Sequence, residues 1–135
     1  MANEWVKVEL YGANNDGCPR RYTIADGVSV SKGQTLKLID PRTASGAILG
    51  LANEACAGVA SMEKEANDGS TSIACWTDGV FEAQASGAIG AGNPICMAET
   101  NRVRLAPITA SGAQVIGYAL EEAATLETIN VRLRL

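Results

Sequence analysis

General acid–base chemistry near neutral pH is most often carried by histidine, and this sequence has none. The remaining candidates are carboxylates such as Asp40, Asp78, Glu121 and Glu122, and four cysteines, Cys18, Cys56, Cys75 and Cys96. Neighbouring carboxylates on a strand, as Glu121 and Glu122 would be, point to opposite faces and cannot converge on one bond. They read as a solvated connection. The cysteines are far apart, form no CxxC pair, and lack a histidine either to activate a thiolate or to complete a zinc site. They are expected to be free and buried as small apolar side chains. The glycine-rich run GAIGAG, 87–92, lacks the GxxxxGK[ST] pattern and opens no helix, so it is not a phosphate cradle. The expectation is a protein that is not an enzyme and takes no cofactor, metal or small-molecule substrate.

The basic residues carry more information. Arg102 and Arg104 would share one face of a strand, and so would Arg132 and Arg134. Like charges placed opposite each other repel, so such strands need a carboxylate nearby, from the same chain or from another. The alternative is a charged outer face that protects a sheet edge from aggregation. These four arginines are the candidate subunit-interface residues. Arg20 and Arg21, in a polar loop, could grip an acidic partner, and Trp5 and Tyr11 leave apolar surface on a mixed strand face. These last four are the candidate contacts with a partner surface. A net charge of -4 and a pI near 4.8 argue against nucleic acid, whose binding draws on an excess of Lys and Arg.

The elements that must position these residues are strands. No stretch keeps a 3.6-residue apolar period, whereas several alternate. Residues 5–11 (WVKVELY) set Val6, Val8 and Leu10 against Trp5, Lys7, Glu9 and Tyr11; residues 12–21 follow as an exposed, mobile loop. Strands are expected at 22–24, 35–39, 47–52, 94–98, 102–106, 115–120 and 128–135, with a loop at 43–46 after Asp40-Pro41. Residues 72–76 and 80–83 read as a hairpin through Asp78-Gly79, and 60–68 is the one place where a short helix, capped by Ser61, is considered. The fold class is therefore all-β, a small barrel or sandwich of about ten short strands. At 135 residues one domain suffices, and about two thirds of its unfolded surface can be buried. No apolar run reaches the length of about eighteen residues that crosses a membrane, and the start lacks a signal-peptide pattern, so synthesis in a cytoplasm is expected.

Part of the chain echoes itself. Residues 31–38 (SKGQTLKL) align with 90–97 (GAGNPICM), matching Gly33 to Gly92, Leu36 to Ile95 and Leu38 to Met97. Gly50-x-Ala52-x-Glu54 likewise aligns with Gly117-x-Ala119-x-Glu121. The expected organisation is an N-terminal strand and arm over 1–27 and a β domain over 28–135, internally duplicated as 28–83 and 87–135.

The blocks at 36–45 (LKLIDPRTAS), 65–82 (EANDGSTSIACWTDGVFE), 85–94 (ASGAIGAGNP) and 115–122 (VIGYALEE), in this order, resemble the decoration, or cement, proteins of tailed bacteriophages. The resemblance covers about Val28 to Leu135. It implies a structural protein of the virion, made in the host cytoplasm and added to the outer capsid surface, with the major capsid protein as partner and a homotrimer as its assembled form. The capsid contacts would then fall on Trp5, Tyr11, Arg20 and Arg21, and the subunit interface on Arg102, Arg104, Arg132 and Arg134. An alternative reading from the composition is a small β-barrel module of a viral fibre or spike that binds carbohydrate or peptide.

Overall fold

A computed structural model describes residues 3–46, 54–107, 110, 112 and 114–135. Eleven strands are present among them: β1 (Val6–Leu10), β2 (Arg20–Thr23), β3 (Thr35–Ile39), β4 (Thr43–Ser45), β5 (Cys56–Ala60), β6 (Ser72–Trp76), β7 (Asp78–Gln84), β8 (Pro94–Ala98), β9 (Arg102–Leu105), β10 (Gly117–Ala119) and β11 (Thr128–Arg134). The fold is all-β, as the alternating patterns require. A barrel closes in the order β2-β4-β3-β5-β6, and a six-stranded sheet runs β1-β7-β11-β10-β8-β9. Each buries its own apolar cluster. Ile24, Leu36, Ala57 and Ile73 fill the barrel, while Phe81, Ile95, Met97, Ile129, Val131 and Leu133 form the sheet's cluster, which Cys56, Val59 and Trp76 of the barrel strands join.

Pairing in the barrel recurs in the sheet 59 positions later. Leu38 faces Ala44 across β3 and β4, and Met97 faces Val103 across β8 and β9. Leu36 pairs with Gly58 between β3 and β5, and Ile95 with Gly117 between β8 and β10. Single bridges join Val30 to Lys64 and Ile89 to Ala123. Left-handed backbone occurs at Gly33, Arg42 and Asn67 and again at Gly92, Asn101 and Leu126. The barrel is closed by a parallel bridge, Thr23 to Thr43, and the sheet curls far enough to make a parallel bridge of its own, Ala85 to Val103.

These registers move the second alignment read from the sequence. Gly117 corresponds to Gly58, not to Gly50, which lies with Ala52 and the expected strand 47–52 outside the described residues. The reason for glycine at both positions is steric. A Cβ on Gly58 would stand 2.6 Å from Trp76 O, and one on Gly117 would collide with Arg132 O. Neither neighbour is a side chain that could move aside.

Several local expectations change. β6 and β7 form no hairpin: β6 pairs with β2 and β5, β7 with β1 and β11, and Thr77 carries the chain from barrel to sheet. β7 therefore lies in the sheet and β6 in the barrel. After Ala60, which ends β5, the stretch 61–68 is bends, a turn and one bridge, and 43–45 is a strand. Within the N-terminal segment, β1 completes the sheet edge and β2 is a barrel stave. Nor does the 12–19 loop hang free. Thr77 donates from its backbone N–H to Gly17 O and from Oγ1 to Cys18 O, at 3.1 and 2.8 Å.

Candidate interaction surfaces

The junction between barrel and sheet is built around Asn101, a buried polar residue held with φ 59°. Its Oδ1 accepts from the Thr35 N–H and Oγ1 at 2.7 and 2.8 Å, and its Nδ2 donates to Asn3 O and Gly33 O at 2.8 and 3.1 Å. Trp5 closes this knot by donating Nε1 to Asn101 O at 3.2 Å. Its ring packs 6.0 Å from Phe81, which lies 5.6 Å from Trp76. Trp5 is only 3% exposed. It therefore cannot be an open contact with a partner. Trp5, ahead of the strand, turns in while its neighbour Val6 faces outward, and Val8, at a bulge between Lys7 and Glu9, is exposed as well. The exposed side of the sheet edge is thus Val6 and Val8, at 54% and 52% exposure.

The arginines separate once placed. Arg132 is paired with Asp78 of the same chain, donates to Leu133 O at 2.6 Å, and stacks 4.3 Å from the Tyr11 ring centroid. Its charge is satisfied internally, which removes the need for a carboxylate from another subunit. Arg102 donates Nε to Gln84 Oε1 at 2.7 Å, Arg104 points its Nε at Cys96 Sγ at 3.4 Å, and Arg134 is exposed at the end of β11. Tyr11 sits beside Glu9, whose hydrogen bond raises the phenol above its ordinary value. Arg20 and Arg21 are exposed on β2 opposite Cys75 and Ala74, so they belong to a rigid stave and not to a loop.

Burial pushes the Cys56 and Cys75 thiols up to about 12, away from reactivity. Among the described residues, no group of three or more His, Cys, Asp or Glu is placed to hold a metal.

One site has no counterpart in the sequence reading. Lys64 is 4% exposed, and its Nζ donates to Asp26 O, Val28 O and Glu65 O at 2.7, 3.1 and 3.2 Å. Asp68 and Asp26 carboxylates stand 3.2 and 3.8 Å away. Asp68 is held below the ordinary carboxylate value, first by the Ser70 N–H and then by Lys64. Burial of a lysine side chain is rare, so the residue type gives no cue to this site. The signal that could have found it is the 59-residue echo, in which Lys64 falls on Ala123.

No curated protein matches the chain. Among solved structures, it is similar to the head fiber gp8.5 N base of bacteriophage phi29, with a TM-score of 0.53 and 16% identity, over 85% of this chain and 92% of that one. That likeness speaks to the fold. A match to the phage cement protein family runs over residues 30–135, taking in nearly all of the barrel and sheet, and on this match the chain belongs to the phage cement protein family.

Proposed function

We propose that the protein decorates the outer surface of an assembled phage head and stabilises it, with the major capsid protein as its partner and no catalytic role. The observation that carries this reading is the family match over residues 30–135. A rigid all-β body suits such a role, because a ligand that binds only the assembled head stabilises that state by mass action, and many copies add their effects. Tyr11, Arg20 and Arg21 are the contacts proposed for the head, and Arg102, Arg104 and Arg134 those proposed for the boundary between copies in a homotrimer. We also propose that the two units, β2 to β6 and β7 to β11, derive from one duplicated unit.

The test mixes purified protein with heads from a phage lacking its gene. Co-sedimentation with the heads and a raised temperature of head disruption are expected. Heads that neither bind the protein nor gain heat resistance would refute the reading. Light scattering decides the trimer, and a single-chain mass in solution and on the head would remove it. For the fibre-module alternative, the aromatic supply is thin: Trp5, Trp76 and Phe81 are buried. Glycan-array binding together with an absence of head binding would favour that alternative.

A further inference from the structure

We propose that the groove at the open end of the sheet, around Ala123, is a receptor for a lysine side chain of the head subunit; this rests on the cement reading above. The chain itself contains the precedent. In the barrel, the Lys64 ammonium spends its three protons on the carbonyls of Asp26, Val28 and Glu65, with the Asp68 carboxylate 3.2 Å away. The same backbone is present 59 residues later. Val30 and Lys64 exchange two hydrogen bonds of 2.9 Å, and Ile89 and Ala123 exchange two of 3.0 and 2.9 Å. The N–H of Asn67 donates to Asp26 O at 2.7 Å, and that of Leu126 to Ala85 O at 2.8 Å. By this correspondence the carbonyls of Ala85, Gly87 and Ala124 occupy the places of the three that hold Lys64. Glu127 takes the place of Asp68, and Glu122 that of Glu63.

What is missing is the lysine. Ala123 ends in a methyl where the Lys64 stem begins. The groove there has a volume of about 630 Å³, against about 300 Å³ for the equivalent one that Lys64 lines. Ala88, Ile89 and Ala123 give the larger groove an apolar wall, and Glu122 and Glu127 give it an acidic rim. Lysine matches both parts, with four methylenes for the wall and a compact ammonium for the carboxylates and carbonyls. An acidic chain with this groove is complementary to a basic residue on the shell and repelled by an acidic one.

Ala123→Lys tests this by supplying the lysine from within. The variant is expected to fold and melt like the parent, yet bind heads at least tenfold more weakly. Glu127→Gln, on the exposed rim, should weaken binding several-fold. Carbodiimide treatment of the parent protein bound to heads should join Glu122 or Glu127 to a shell lysine through an amide, with loss of water, identifiable by peptide mass. A folded Ala123→Lys protein that binds heads unchanged would overturn the receptor while leaving the cement reading intact. Should that variant not fold, unchanged binding by Glu127→Gln together with couplings only at other carboxylates would overturn it equally. Parent protein that fails to bind heads would overturn both.

Discussion

The barrel and the sheet use the same strand order and the same registers, yet they are held together differently. In the barrel, a small core is capped by a buried charge, Lys64, with its carbonyls and carboxylates. Among the described residues the sheet has no such cap; it has a larger core, a sixth strand added from the N-terminal side, and an aromatic group, Trp5, Phe81 and Trp76, that reaches back to the barrel. Residues at corresponding positions have taken opposite tasks. Arg42 and Asn101 share the same left-handed turn position, but Arg42 lies over Tyr22 on the surface while Asn101 ties the two units together. One backbone plan thus tolerates a polar or an apolar interior, provided the strand pairings and their two obligatory glycines stay.

The comparison can be broken most severely through the shared aromatic group. Phe81→Ala should cost about 3–5 kcal/mol by removing a fully buried ring, read as a lower midpoint in chemical denaturation. Gly117→Ala should cost on the order of 3 kcal/mol or more, because the added Cβ meets a backbone carbonyl and not a mobile side chain. Asn101→Ala should cost about 2–3 kcal/mol, since the buried Thr35 N–H loses its acceptor, whereas Arg42→Ala should change stability by less than about 0.5 kcal/mol. A single cooperative transition in the parent that becomes two in Asn101→Ala would establish that this residue couples the units; equal effects of the two substitutions would deny it.

Charge gives smaller effects that belong to the barrel alone. Lys64→Ala should cost about 1–3 kcal/mol through three carbonyls left without their donor. Asp68 is held below its ordinary value when folded, so its contribution is complete above about pH 4 and is lost as pH falls through the lower folded value. Hydrogen exchange at low pH should therefore rise at the barrel's Lys64 end before the corresponding end of the sheet. Equal loss of protection at both ends would count against the assignment.

Much of this was legible in the residues. The alternation of Ile129, Val131 and Leu133 against Asn130 and Arg132 gave β11, and the match of Gly33 to Gly92 gave the 59-residue spacing. What escaped depends on partners distant in sequence. Asp78-Gly79 has the composition of a hairpin turn, but Gly79 serves a close approach to Glu9 O, and β6 and β7 part to different layers. Alternation places Trp5 and Val6 on opposite sides of the strand but does not say which side is buried, and Trp5 is drawn in by Asn101 and Phe81, partners distant in sequence. Arg132 found its carboxylate in Asp78, on a strand not adjacent in sequence.

The attachment of β1 also sets an order of events. Trp5 donates to Gly33 O and Asn101 O, and among the described residues β1 pairs with β7 alone, so β1 has no edge to join until β7 has been made. Contacts of such long sequence separation slow folding, because a large loop must close before they form. Because β1 lies at the edge of the sheet, the pairings among β7 to β11 do not depend on it, and its docking is the step that ties the N-terminal residues to the sheet and, through Trp5, to Asn101.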